Sequence, residues 1–444
     1  MAFERTESNR HLSPAQRYFL NFVQSESSGG VMLLICTVIA LIFANVPALR
    51  SVLSFWEIEG GINFGSFSLQ MSLLEWVNDA LMAVFFFTVG MEIKREMTVG
   101  QLSSVKKATL PVIAALGGMI FPALIYTLFN FNNPVTSSGW GIPMATDIAF
   151  AIGIISLLGN RVPIGAKVLL TALAIADDLG SIIVLAVFYP THALNFAALG
   201  IALAVFALLM LCNKLGVCKG YLYIICGIVM WYFVLRSGVH ATIAGVLLAI
   251  AVPMRSRVKQ SSFIDRSKVL LEEFKELADE GGEHANDSQQ TIIHAMSENM
   301  DAMEPLLHKF ETNLQPIVNF FIMPVFALAN AAVVFDSSAF AGGIPTVALG
   351  IFFGLVCGKP IGIFLFSWIA VKLRLADLPE NTKWKQILAM GILGGIGFTM
   401  SIFVDNLAFT DMNTVNVGKV SILIASLTAS ILGLIVMKMV TKEK

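Results

Sequence analysis

The sequence predicts an all-α polytopic membrane protein with twelve transmembrane helices. Hydrophobic residues make up 56% of its 444 residues, charged residues make up only 13%, and the mean hydropathy is +0.78. Apolar stretches of about 18 or more residues recur along nearly the whole chain, and each can cross a hydrocarbon core of about 30 Å as a helix. This composition excludes a soluble globular protein. It predicts membrane lipid as the surrounding medium and no nucleic-acid partner.

The apolar runs between charge clusters define the helices, with ends good to a few residues. The twelve predicted helices cover residues 28–47, 73–93, 108–130, 142–159, 165–189, 193–212, 217–235, 238–253, 316–335, 344–371, 386–405 and 417–437. The remaining segments are an N-terminus (1–27), a loop (254–315) and a tail (438–444). The N-terminus is polar and of mixed charge, so we do not expect a removable signal peptide.

Basic residues predict the orientation. Of the 29 Lys and Arg residues, 25 fall on one side of this arrangement, only Arg50 and Arg236 fall on the other, and Lys359 and Lys419 lie within helices. By the positive-inside rule both termini and the 254–315 loop are cytoplasmic. Two termini on one side require an even number of helices, which agrees with twelve.

Two connections between helices are unusual. Residues 55–70 alternate apolar and polar side chains around Gly60-Gly61, which predicts a small β-hairpin on the outer face. The 254–315 loop is charged and contains Gly281-Gly282, which predicts a mobile loop with at most a short amphipathic helix at 270–277.

Glycine and proline predict breaks in helices 4 and 11. Helix 4 begins SSGWGIPMATDIAFAIG, and helix 11 reads GILGGIGFTMSIF. Non-helical backbone at membrane depth persists only where it is buried in protein or lines a water-filled cavity, so a site is expected there. Interrupted helices in two halves are also typical of inverted-repeat transporters, with helices 3–5 and 10–12 as the repeats.

Five polar side chains lie at intramembrane depth on helices 4, 5 and 10: Thr146, Asp147, Asp177, Asp178 and Lys359. A charge at the bilayer centre costs about 2.5 to 3.5 kcal/mol on insertion scales, so pairing, water or protonation must relieve it. Successive helix residues point about 100° apart, and Asp177 and Asp178 therefore cannot face the same partner. We expect one of them to meet Lys359 and the other to face a cavity.

These residue types suit a monovalent cation, which prefers oxygen ligands such as carboxylates, a hydroxyl and backbone carbonyls of an unwound helix. Carboxylates that hold either protons or a cation, but not both, couple the two by competition. The five cysteines have no paired short spacing, so neither a disulfide framework nor a metal site is expected. We predict no cofactor and no enzymatic activity.

Six motifs from helix 2 to helix 11 also carry a resemblance: VGMEIKRE, MATDIAFAIG, ALAIADDLGSI, RSGVHATIAG, GKPIGI and GGIGFTMSIF. Together they resemble the bacterial NhaA-type Na⁺/H⁺ antiporters. The resemblance implies twelve helices with inverted repeats, chains that cross in helices 4 and 11, and a homodimer formed through the 55–70 hairpin. It also implies electrogenic exchange of Na⁺ or Li⁺ for H⁺ across the inner membrane, in the service of sodium and pH homeostasis.

The same resemblance implies residue roles. Asp178 would be the main cation-binding carboxylate, and Asp177 would pair with Lys359 and share the Na⁺ or Li⁺ and proton chemistry. Asp147 and Thr146 would lie at the helix-4 crossing, where Asp147 and Lys359 offset half-helix dipoles. Activity would rise at alkaline pH, and the candidate pH-response residues are Glu92, Lys94, Arg95, Glu96, His240 and Glu311. This chain departs from the family where histidines would precede helix 9, since it has Thr312 and Gln315 there.

Several of these residues also have simpler interpretations. Asp147 could cap a helix, Lys359 could extend its ammonium to the membrane interface, and His240 could be an ordinary packing residue. Glu92 to Glu96 could be a solvated helix end. We interpret Asp405 as a boundary residue of helix 11.

Two other functions compete with antiport. An intramembrane aspartyl protease also uses two membrane-embedded aspartates, but it needs them on two helices and in a Gly-x-Gly-Asp context, which is missing. A sodium-coupled organic-anion symporter would need a basic or aromatic pocket near helix 4.

Overall fold

The computed structural model describes residues 28–64, 67–189, 194–278, 286–334, 343–379 and 382–441. The predicted N-terminal segment 1–27 and residues 442–444 of the predicted tail lie outside this part of the chain. The protein is mostly helical, and helices satisfy every backbone hydrogen bond inside the segment, as a lipid environment demands.

The described helices, in chain order, are α1 (Ser28–Asn45), α2 (Leu73–Thr98), α3 (Val105–Asn130), α4 (Ile148–Ser156), α5 (Ile164–Phe188), α6 (Phe196–Lys214), α7 (Gly220–Ser237), α8 (Ile243–Ala251), α9 (Gln260–Ala278), α10 (Asp287–Met303), α11 (Leu306–Asn330), α12 (Thr346–Lys372), α13 (Trp384–Gly394), α14 (Phe398–Ala408) and α15 (Met412–Val440). Ten membrane-spanning segments among the described residues are long and apolar enough to cross a bilayer, and the pair α13 and α14 makes up to eleven.

The predicted helix 8 (238–253) differs from the structure. Only Ile243–Ala251 is helical, because Gly238 has a φ of +83° and ends α7 in the left-handed conformation. Nine residues are too few to span a bilayer alone. The count of twelve helices and the inverted repeats therefore stay predictions.

The predicted hairpin between helices 1 and 2 is present. Strands β1 (Glu59–Phe64) and β2 (Phe67–Ser72) pair antiparallel, with Glu59 opposite Ser72. Ser72 then begins α2 in a capping box, in which its hydroxyl accepts a hydrogen bond from the Glu75 backbone N–H. Arg236 at the end of α7 donates to the Ser68 carbonyl, 2.6 Å away.

Contacts between helix ends define the side of the protein on which the hairpin lies, here called the hairpin side. At this side Asn45 donates to the Val333 carbonyl and Ser138 donates to the Ala408 carbonyl. The helices α9 and α10 lie at the opposite end of the spans, here called the loop side.

The predicted breaks in helices 4 and 11 are confirmed. Residues Ser137–Met144 form a 3₁₀ helix, residues 145–147 are extended, and α4 follows. The second break separates α13 from α14, which are bent by 47°. Residues 395–397, with two glycines, connect them.

The 254–315 segment is more ordered than predicted. The helices α9 and α10 occupy most of it, and they contact each other through the Asn299 side chain, which donates to the Phe263 carbonyl and to Ser267 Oγ. Asn286 and Gln289 form a capping box at the start of α10. The predicted helix 9, here α11, also begins earlier than the predicted residue 316: it starts at Leu306, and both Leu306 and Leu307 are buried.

Close backbone contact holds the spans together at glycine residues. A Cβ atom built on Gly362 of α12 would lie 2.0 Å from the Gly117 carbonyl oxygen of α3. A Cβ atom on Gly245 of α8 would lie 2.1 Å from the Ala83 carbonyl oxygen of α2. Small residues allow this close approach, which is the usual source of helix association within a membrane.

Candidate functional site

The two acidic residues of α5 lie near the middle of this 25-residue helix. Asp177 and Asp178 are 1% and 2% exposed, although both carry a titratable group. Because they are neighbours on a helix, they point in different directions and meet different groups.

Lys359 of α12 contacts one of these two acids. Its side chain is completely buried, and it follows a π-helical turn at Gly354–Gly358. The Lys359 ammonium forms an ion pair with Asp177 Oδ2 and donates a hydrogen bond to Thr146 Oγ1, 2.5 Å away. Thr146 Oγ1 lies 2.6 Å from Asp177 Oδ2 and 2.9 Å from the Gly394 carbonyl oxygen. The side chain of Lys359 therefore does not extend to the membrane interface.

Asp147 joins the two broken helices where their extended segments cross. Its backbone N–H donates to the Ile396 carbonyl at 2.7 Å. Its Oδ1 accepts from the Phe150 N–H and caps α4, and its Oδ2 accepts from the backbone N–H and the hydroxyl of Thr399 at the start of α14. One carboxylate thus faces the positive ends of two half-helices. Asp147 therefore both caps α4 and offsets the dipoles of the two half-helices.

Three buried oxygen atoms on one stretch of α5 have no hydrogen-bond partner within the described residues. They are Asp177 Oδ1, Asp178 Oδ1 and Ser181 Oγ. Ser181 lies three and four residues after the two acids, which places all three on adjoining parts of the helix surface. Oxygens in such a place suit a hard cation or a proton. Among all the described residues, no group of three or more His, Cys, Asp or Glu side chains could hold a metal ion.

Four of the candidate pH-response residues form one cluster on the loop side. Arg95 Nε lies 3.0 Å from Glu311 Oε1, and Arg95 also pairs with Glu96 at 3.4 Å. Glu92 is half-buried and interacts electrostatically with Glu311, Arg95 and Glu96. It also interacts with Asp178, which connects the cluster with the intramembrane acids.

The other two pH-response candidates lie outside that cluster. Lys94 donates three hydrogen bonds to carbonyls at the end of α8, those of Ala249, Ile250 and Val252. His240 is 4% exposed, begins the segment before α8 and interacts with the backbone of Tyr189. The structure does not bring His240 together with the glutamates.

Three residues in or near this region are not among the site residues that the sequence predicts: Ser181, Thr399 and Asp405. Thr399 donates to Asp147, and its signal in the sequence is its position two residues after the last glycine of GGIGFTMSIF. Asp405 is not a boundary residue, because it is 0% exposed inside the protein. Its position near the polar residues that follow α14 concealed its burial.

Comparisons with known proteins identify relatives of this chain. The family model described as Na+/H+ antiporter 1 matches residues 20–437. The Na(+)/H(+) antiporter NhaA 2 of Flavobacterium johnsoniae is 46% identical over 428 residues, which cover 96% of this chain and 94% of that protein. The Na(+)/H(+) antiporter NhaA of Helicobacter pylori is 46% identical over 416 residues, 93% of each chain.

A solved structure, that of the sodium proton antiporter MjNhaP1 from Methanocaldococcus jannaschii at pH 8, aligns with 94% of this chain and 93% of its own. The TM-score is 0.47 and the identity 12%, a similarity too low to support a conclusion about this chain.

Proposed function

Because the chain belongs to the Na⁺/H⁺ antiporter 1 family, we propose that it exchanges Na⁺ for H⁺ at the site formed by Thr146, Asp147, Asp177, Asp178 and Lys359. Members of this family are transporters, so the chain is not an enzyme, and neither the protease nor the symporter alternative has support. The observation that carries the site assignment is the unequal state of the two neighbouring acids: Lys359 pairs with Asp177, while Asp178 Oδ1 has no partner among the described residues.

The proposed exchange is a competition for the same oxygens. A cation needs ionised carboxylates, and a proton removes the charge that binds it. Asp178 is the proposed main ligand of Na⁺ or Li⁺, with Asp177 and Ser181 as neighbours that supply further oxygens. The backbone carbonyls of Gly394, at the end of α13, and of Ile396, in the extended segment after it, lie nearby and accept hydrogen bonds from Thr146 and from the Asp147 N–H.

We propose that more than one proton moves for each cation, which makes the exchange electrogenic. The Lys359–Asp177 pair and Asp178 together provide enough groups to carry two protons. If a cation engages both carboxylates, Lys359 loses its partner. A buried ammonium without a partner is costly, so it would release its proton.

Higher activity at alkaline pH is proposed to depend on the loop-side cluster. Glu92, Glu96 and Glu311 place three carboxylates around one Arg95, so the cluster holds more acidic than basic groups. The electrostatic interaction of Glu92 with Asp178 provides a route from this cluster to the cation site.

The placement in the inner membrane, with both termini in the cytoplasm, is proposed from the distribution of basic residues. We also propose that two copies associate through the hairpin. A two-stranded sheet has two unpaired edges, and such an edge can pair with a strand of another chain. Ile62 of β1 is 63% exposed and would become buried in such a dimer. Deleting residues 59–72 should weaken dimerisation and leave exchange largely intact.

Everted membrane vesicles that contain a pH-sensitive dye test the proposed exchange. Addition of NaCl or LiCl should collapse a preformed proton gradient in the wild type, and Asp178→Asn should abolish this response. Asp411→Asn is the matched control, because Asp411 is exposed, caps α15 and lies outside the site. Full exchange by Asp178→Asn would overturn the site assignment. A wild type that responds to neither ion across neutral and alkaline pH would overturn the proposed function.

A further inference from the structure

A second intramembrane acid, Asp405, lies in the hairpin-side half of α14. It is completely buried, and it precedes Ala408 by three residues, so about 4.5 Å of helix separates it from the hairpin-side end. Neither of its carboxylate oxygens has a hydrogen-bond donor among the described residues. The proposed exchange does not use this group.

Close packing on α15 fixes the position of Asp405. A Cβ atom built on Gly418 would lie 2.0 Å from Asp405 Oδ1, so only glycine leaves room for this carboxylate. The next residue, Lys419, is half-buried and interacts electrostatically with Asp405. Asp405 and Lys419 thus lie on two packed helices, α14 and α15, although no ion pair within 4.0 Å joins them among the described residues.

The other elements that pack against Asp405 supply one further titratable group. Tyr126 of α3 interacts electrostatically with Asp405, but its hydroxyl already donates to the Thr136 carbonyl at 2.7 Å. The 3₁₀ helix Ser137–Met144 and the Met323–Asn330 end of α11 contain no charged residue. Lys419 is thus the one group on these packed elements that can balance a negative charge on Asp405.

A buried carboxylate without donors is stable only if a positive charge or a proton accompanies it. We propose that Asp405 and Lys419 form a second proton-binding site, separate from the exchange site, that takes up protons from the hairpin side of the membrane. The pair holds one proton as an ammonium beside a carboxylate, and a second proton neutralises the carboxyl group. The two groups titrate together, as interacting sites do.

This second site is distinct from the acids on α5. Asp177 and Asp178 lie on α5, whereas Asp405 lies on α14 and packs against Gly418 of α15. The two sites nevertheless share α14, whose first residues carry Thr399. Protonation of Asp405 would thereby change the charge on α14, the helix whose Thr399 contacts Asp147.

Infrared difference spectroscopy of the full-length protein in lipid vesicles tests the proposal directly. As pH is changed, the wild type should show a carboxylic-acid carbonyl band that titrates and that Asp405→Asn removes. In Lys419→Gln the band should persist to more alkaline pH, because the ammonium no longer stabilises the carboxylate. Asp411→Asn, an exposed acid at the same end of α15, should leave this band unchanged.

An unchanged titrating band in Asp405→Asn would overturn the proposal, and so would a Lys419→Gln spectrum identical to that of the wild type. If Asp405→Asn does not fold, the Lys419→Gln spectrum alone decides. Exchange measured while only the hairpin-side pH is varied adds a second readout, which rests on the proposed function. Asp405→Asn should flatten that pH dependence. Loss of exchange in the wild type would refute the antiporter proposal without affecting the infrared result.

Discussion

Lys359 pairs with Asp177 in a place where neither side chain reaches solvent: their exposures are 0% and 1%. Removing one partner of a buried pair leaves the other charge uncompensated, and this typically costs about 3 to 5 kcal/mol. A pair of uncharged residues of similar size avoids most of that cost. We therefore expect this pair to affect the free energy of unfolding, separately from its proposed role in exchange.

We expect Lys359→Met to lower the thermal unfolding temperature of the purified protein in detergent. The double variant Lys359→Met with Asp177→Asn should recover most of the loss, because no unpaired charge remains. The two changes should therefore be strongly non-additive. Additive effects would show that the two groups do not compensate each other.

The Thr399 hydroxyl should stabilise the place where the extended segments of the two broken helices cross, because it donates to Asp147. Thr399→Val keeps the shape of the side chain but removes a donor to the buried Asp147 carboxylate. We expect a stability loss of about 1 to 3 kcal/mol, together with slower Na⁺-driven dye recovery in vesicles. Thr399→Ser retains the hydroxyl and is the matched control. Equal behaviour of the two variants would remove Thr399 from the site.

Glu311→Gln tests the loop-side cluster. Arg95 is 38% exposed on its side chain, so loss of this ion pair should cost no more than about 1 kcal/mol. With one acidic group of the cluster gone, the pH at which exchange begins should shift. Asp301→Asn breaks the Asp301–Lys309 pair, at 2.9 Å, outside the cluster and should leave the pH profile unchanged. An identical shift in both variants would contradict a specific role for Glu311.

Gly362→Ala should disrupt the contact between α3 and α12. The added methyl group would lie 2.0 Å from the Gly117 carbonyl oxygen, so the helices must separate. Overpacking of this kind costs about 1 to 3 kcal/mol, and it should lower the unfolding temperature. Gly200→Ala on α6 is the control, because nothing lies within 4 Å of its added atom. A stable Gly362→Ala protein would show that this contact is adaptable.

The sequence predicted the broken helices, the hairpin and the contact of one α5 acid with Lys359, because each depends on local composition or on the helical repeat. The residues alone left open which acid meets Lys359, since that depends on how α5 and α12 pack. The family resemblance implied Asp177, which is the acid that Lys359 contacts. The sequence predicts Asp405 wrongly as a boundary residue, because burial near a helix end depends on packing against other helices. Here Gly418 of α15 packs against Asp405.

The 254–315 segment was misinterpreted for a different reason. Its charge and its glycine pair resemble a disordered loop, whereas the contacts that order α9 against α10 use Asn299 and Gln289 side chains. Such polar contacts leave little signal in hydrophobic periodicity. The roles of the site residues in binding ions stay predictions.

The three hydrogen bonds from Lys94 to the end of α8 have a mechanical consequence. Together with the close contact of Gly245 against the Ala83 carbonyl, they join α8 to α2 near both ends of α8. These two helices should therefore move as one rigid body. The rearrangement that alternating access requires must then take place between this body and the helices that carry the crossing segments.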